Sequence, residues 1–209
     1  MGTRNLTIVF MDGQYRVAQY GQWDGYPEGQ GLTCLRFIRD QMNEKDFREA
    51  LSYIKYIDAD KLQRMWLDYG MDADGSIPVK NADRFRQTFP EFSRDTGAEI
   101  LSMIQNNEIT SNCLEDSLTF AADSLFCEWA YVVDFDKRTF EVYKGFNKIP
   151  LEKSDRFYFL RGYESGDMYS GRRYHGVKLA KEFSLDNLPE DDEFLDMFKS
   201  DDEEDNDND

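Results

Sequence analysis

The sequence predicts an α+β domain in which an N-terminal and a C-terminal hairpin build an antiparallel sheet around a helical insert. Three observations carry this expectation. Two β-rich runs, Leu6 to Met11 and Tyr15 to Tyr20, are joined by Asp12-Gly13, a dipeptide that favours a two-residue hairpin turn. A second pair alternates through Trp129, Tyr131, Val133 and Phe135, turns at Asp136-Lys137-Arg138 and returns over Phe140 to Tyr143. Between the two, across about residues 32 to 106, apolar residues recur at helical spacing. Helices confined between hairpins are expected on one face of the sheet.

After the first hairpin the chain enters a loop, Tyr20 to Gly31, and Leu32, Leu35 and Ile38 then mark one face of a helix. Asn43 is a good N-cap for a second helix, with Phe47, Ala50, Leu51, Ile54 and Ile57 on one stripe. Asp60 to Leu67 continues helical, with Leu62, Met65 and Trp66 as its apolar side. An acidic loop over residues 68 to 79 ends at Ile77-Pro78, and a helix from about Asn81 to Thr88 stops before Pro90. Thr96 and Glu99 have the spacing of a capping box for a helix that runs to about Gln105. Phe157 to Arg161 and Val177 to Phe183 each read as a further strand. Pro189 opens the tail. The predicted division is therefore one domain over residues 1–189 and a disordered acidic tail over 190–209.

A chain of 209 residues buries one good-sized core, and an aromatic share of 15% supplies its large apolar surfaces. The net charge of −17 is unevenly placed: residues 190–209 carry −11 of it, which leaves only −6 for the rest. Direct nucleic-acid binding is disfavoured, because phosphate contacts need clustered Lys and Arg. No apolar run approaches the roughly 18 residues of a membrane span, and Leu6 to Phe10 is too short for a signal peptide. Cys34, Cys113 and Cys127 are odd in number and far apart, which points to a reduced, cytoplasmic setting.

Several segments carry a family likeness. Gly2-Thr3-Arg4 before the hairpin, the run Tyr20-Gly-Gln-Trp-Asp-Gly-Tyr-Pro27, Ser93-Arg94-Asp95-Thr96-Gly97-Ala98 and Phe126-Cys127-Glu128-Trp129-Ala130-Tyr131 resemble an uncharacterised family of bacterial and phage-borne proteins. The resemblance spans most of residues 2 to 198. It implies a bacterial or phage cytosolic context and an accessory gene on a mobile element; it brings no activity and no catalytic residues.

The loop from Tyr20 to Gly31 is the segment that reads most like a shaped site. Tyr20, Trp23 and Tyr26 offer an aromatic wall, and Asp24 is the candidate acid, base or anchor, with Arg4 nearby on the first strand. Gly29-Gln30-Gly31 offers backbone N–H groups to an anion, although no Lys-Ser or Lys-Thr follows as a P-loop needs. The plain alternative is a structural connection whose aromatics fill the core.

Other motifs carry less chemistry. Asp72-Ala73-Asp74-Gly75-Ser76-Ile77 has the look of an EF-hand centre, but Gly70 and Asn81 stand where the first acidic ligand and the bidentate glutamate belong. Asp95-Thr96-Gly97-Ala98 spells an aspartic-protease signature without the apolar strand that should lead into it. The only histidine, His175, sits by Arg172 and Arg173 and reads as a surface residue, so no zinc cluster forms around it. The layout also suggests amidohydrolases with an N-terminal nucleophile, yet removal of Met1 exposes only Gly2.

No metal and no cofactor are expected. The expected function is binding without catalysis: a protein partner with a basic surface, engaged through the acidic tail and the Trp23–Tyr26 loop. Phe194 and Phe198 in the tail are either anchors for that partner or a helix docked on the body. The alternative is a small-molecule hydrolase with its site at Tyr20–Gly31 and Asp24 as the catalytic group.

Overall fold

The computed structural model describes residues 2–164 and 173–199. Strands β1 (Asn5–Met11) and β2 (Gln14–Gly21) form the first hairpin, with Asp12 and Gly13 both at positive φ as the type I′ turn requires. Helix α1 (Leu32–Arg36) is flanked by wide π-type turns over Pro27–Gly31 and Phe37–Gln41. Helix α2 (Glu44–Tyr53) is capped by the Asn43 side chain, which accepts from the Asp46 N–H. Next come β3 (Lys55–Tyr56), α3 (Ala59–Asp68), α4 (Val79–Thr88), α5 (Ile100–Gln105) and β4 (Cys113–Leu114). Strands β5 (Trp129–Asp134) and β6 (Thr139–Lys144) make the second hairpin, followed by β7 (Lys178–Ser184) and α6 (Asp191–Lys199). Among the described residues no helix is long and apolar enough to cross a membrane.

The main sheet has the order β2-β1-β5-β6-β7. Its ladders are antiparallel, as expected, except at the junction of the hairpins. There β1 and β5 run parallel, from Asn5 opposite Trp129 to Phe10 opposite Asp134. The long helical insert returns the chain to the end of the sheet where β1 began, and a parallel neighbour is reached only by such a crossover. This central pair is apolar on both sides. Tyr131 and Val133 join Val9, Leu35, Phe47, Leu51 and Leu101 under the helices. Ala130 and Val132 join Leu6, Ile8, Tyr143 and Phe157 on the opposite face, covered by turns and loops.

Several expectations fail for local reasons. Phe157 to Arg161 is not a strand: Tyr158–Tyr163 is a 3₁₀ turn, and Phe157 and Leu160 are buried while Phe159 is 53% exposed. The apolar period there is three, not two. Thr96 caps nothing, because it already has helical backbone angles and its hydroxyl donates to the Pro90 carbonyl at 2.6 Å. Helix α3 has no buried residue; Trp66 stacks on Phe85 of α4 at 3.7 Å in a peripheral aromatic cluster with Tyr69 and Phe89.

The largest revision concerns the boundary at Pro189. Phe194 is fully buried among Phe140, Phe183 and Phe198, and Phe198 meets the Trp129 ring edge-on at 5.7 Å. Arg36 and Arg39 hold Asp191 at 2.7 and 2.9 Å, and Arg39 also donates to the Pro189 carbonyl. Residues 191–199 thus belong to the domain. Phe194 and Phe198, one helical turn apart, are core residues, as in the docked-helix alternative for this segment. Residues 200–209 lie outside the described residues.

Candidate functional site

The loop after β2 is tied down mainly through its backbone. The Gln22 N–H donates to the Arg94 carbonyl at 2.8 Å and the Gly25 N–H to the Thr3 carbonyl at 3.0 Å. The Tyr131 hydroxyl, rising from the central strand, donates to the Gly25 carbonyl at 2.7 Å. Gln30 donates to the Trp23 carbonyl and accepts from the Ala98 N–H, so the segment 93–98 closes over the loop. Residues near Thr3, the loop 22–30, the segment 93–98 and Tyr131 of β5 are therefore joined by hydrogen bonds around this loop.

Each predicted site residue has a definite place. Trp23 is 44% exposed, lies against Gly2 and donates its indole N–H to Asp95 at 2.7 Å. Tyr26 is 51% exposed. Neither ring fills the core, against the plain alternative drawn from the sequence. Tyr20 is half-buried on the other face, edge-on to Phe120, with its hydroxyl bonded to Gln22; it opens toward a shallow depression with Asp123 and Tyr163. Asp24 is exposed at φ 53°, in the left-handed region, and its carboxylate has no hydrogen bond among the described residues. Arg4 lies over Phe126 at 4.6 Å and beside Glu128, with no ion pair to Asp24. Tyr20, Trp23, Asp24 and Arg4 do not converge on a common cavity.

The anion expectation for Gly29–Gly31 also fails. The N–H groups of Gly29 and Gly31 donate to the Tyr26 carbonyl, and that of Gln30 donates to the Asp24 carbonyl, so all are consumed within the loop. These glycines serve close approach instead. A Cβ on Gly29 would stand 2.2 Å from the Asp24 carbonyl oxygen, and one on Gly31 would stand 3.0 Å from the Tyr131 ring.

The remaining motifs are structural. Asp95 holds Trp23, and Asp74 accepts from the Ser76 N–H in a turn closed by an Asp72-to-Ser76 backbone bond. Among the described residues no group of His, Cys, Asp and Glu gathers as a metal site. His175 is mostly covered, not a surface residue, and its Nδ1 lies 3.2 Å from Glu164. Arg172 lies outside the described residues. Burial pushes the Cys34 thiol up to about 12, a Thr7 hydrogen bond notwithstanding, and raises that of Cys127 as well, so neither is a poised nucleophile.

One cleft does adjoin the loop. It encloses about 290 Å³ between Tyr26 and Pro27, the β5–β6 hairpin and α6. Trp129 and Phe198 supply its apolar surface, Tyr26 and Phe146 its exposed aromatics. Glu28, Glu128, Lys144 and Lys199 are its charged groups. Glu128 faces Arg4, Lys199 pairs with Asp196 at 2.6 Å, and the Lys144 ammonium stands 5.9 Å from the Trp129 ring centroid. Phe146 and Lys144 escaped the sequence reading, since nothing in Lys144-Gly145-Phe146-Asn147 distinguishes a site from an ordinary strand end. The cleft is aromatic and amphipathic, and its described lining residues include no nucleophile–base pair. Compared with protein-family models, curated proteins and solved structures, the chain matches none.

Proposed function

We propose that this is a non-catalytic binding protein, in the bacterial or phage cytoplasmic setting that its resemblance implies, whose partner presents a basic surface. The observation that supports this reading is where the acidic segment leaves the body. Phe194 and Phe198 lock α6 into the core, and Lys199, the last described residue, lies on the rim of the aromatic cleft. Asp192, Glu193 and Asp196 are exposed on the same helix as the lining residues Leu195, Phe198 and Lys199, and the sequence that follows Lys199 is rich in Asp and Glu. A concentrated negative charge beside half-exposed aromatics suits a partner that offers cations and some apolar surface.

A hydrolase centred on Asp24 has no comparable observation in its favour, because among the described residues no second catalytic group is bonded to that carboxylate. The test is co-purification at low salt with two baits, the full chain and one ending at Lys199. Loss of the retained partner from the shorter bait supports the reading. Identical partner sets remove the acidic segment from it.

A further inference from the structure

We propose that the cleft beside Tyr26 receives a lysine or arginine side chain of the basic partner, against the Tyr26 and Phe146 rings with Glu28 as its counter-charge. This rests on the binding reading above and assigns the contact. Three observations carry it.

First, the rings of Tyr26 and Phe146 are about half-exposed, and among the described residues neither packs on another ring nor carries a cation. An aromatic face open at a cleft attracts a cation electrostatically, most strongly where water is partly excluded. Second, the charges lining the cleft are unequally satisfied. Glu128 faces Arg4 and Lys199 faces Asp196, whereas Glu28 has no ion pair among the described residues. Third, Phe146 sits at φ 53°, a conformation uncommon for a bulky residue, fixed by the bond from its N–H to the Ser124 carbonyl at 2.7 Å. An exposed phenylalanine held in a costly backbone conformation at a cleft is the kind of outlier that marks a ligand contact.

The experiment measures fluorescence anisotropy of a labelled hexalysine peptide with the full chain at about 0.15 M salt, where diffuse surface charge is screened. Tyr26→Ala and Glu28→Gln are expected to weaken binding roughly tenfold each. Asp72→Asn, which removes the same charge from a remote acidic turn, is expected to change it less than about twofold. Unchanged thermal melts verify that the variants fold. The proposal is overturned if Glu28→Gln does no more than Asp72→Asn, or if Tyr26→Ala leaves affinity unchanged. It is equally overturned if a hexaglutamate peptide binds in place of hexalysine, which would give the cleft to Lys144 and Lys199. Hexalysine binding that vanishes in a chain ending at Lys199 sinks the cleft proposal and keeps the acidic-segment reading; binding by neither chain sinks both.

Discussion

The indole N–H of Trp23 donates to the Asp95 carboxylate at 2.7 Å, a contact that spans 72 residues of chain and joins the loop after β2 to the segment before α5. The bond is solvent-accessible, so its net worth is about 1 kcal/mol. The packing beneath it matters more. A Cβ on Gly2 would lie 2.2 Å from the Trp23 ring, so only glycine lets the ring settle there. Trp23→Phe is expected to cost about 1 kcal/mol in urea denaturation and Gly2→Val more, because the second change displaces the ring entirely.

Asp24 is a backbone position before it is a chemical one. At φ 53° an aspartate is tolerated, an asparagine equally, and a β-branched residue poorly. Asp24→Asn should leave the denaturation midpoint almost unmoved, while Asp24→Val should lower stability by about 1–2 kcal/mol. An equal loss from both would show that the carboxylate itself supports the fold.

Helix α6 makes the choice of truncation decisive. A chain ending at Lys199 keeps Phe194 and Phe198 and should melt like the full protein. One ending at Pro189 exposes the surfaces of Phe140, Phe183 and Trp129, and Phe194→Ala alone should cost about 3–5 kcal/mol. Calorimetry of the two truncations separates them.

On the face of the sheet away from the helices, Arg156 bonds Glu141 through Nε and Nη2 at 2.7 Å each and also pairs with Asp134, all three nearly inaccessible. Burial pushes the Glu141 carboxyl up, but hydrogen bonds from Arg156 and Tyr143 outweigh it and hold the group below its usual value. A depressed folded value adds stability above the unfolded value, about 4.3, that is lost as pH falls through the folded one. Arg156→Leu removes the buried cation shared by both carboxylates, leaving Glu141 only the exposed Lys137 ammonium at 3.6 Å, and should cost about 3–5 kcal/mol near neutrality. Its pH dependence should then reverse, with stability recovering as acid protonates Glu141; urea midpoints at pH 4 and pH 7 read the sign.

The thiols give a further check on packing. Cys34 and Cys127 are buried, and burial holds both thiols protonated, whereas Cys113 is partly exposed near the Lys61 ammonium. Alkylation of the native protein should mark Cys113 alone, and the other two should react only after unfolding.

Elements that depend on neighbours in the chain were legible. Asp12-Gly13 specifies its turn because both positions need positive φ, and Asn43 caps α2 because its side chain reaches a donor three residues on. The alternation of Trp129, Tyr131 and Val133 marks β5 because a pleated strand has period two. The loop at Tyr20–Gly31 stands out in the sequence for its glycines and aromatics, but the sequence could not sort its residues into core, rim and backbone roles. Those roles are set by Thr3, Arg94 and Tyr131, which lie far away in sequence.

By itself the sequence determined the α+β class, both hairpins, the helical character of the insert and the concentration of acid at the C-terminal end, all consequences of local period, turn chemistry and composition. Tertiary structure alone decided the parallel pairing of β1 with β5, the entry of Phe194 and Phe198 into the core and the separation of Tyr20 from Tyr26. It also decided the meeting of Tyr26, Trp129, Phe146 and Phe198 around one cleft. Long-range burial chooses among partners that local pattern leaves equivalent: an apolar stripe says that a face must be covered, and only the folded chain says by what.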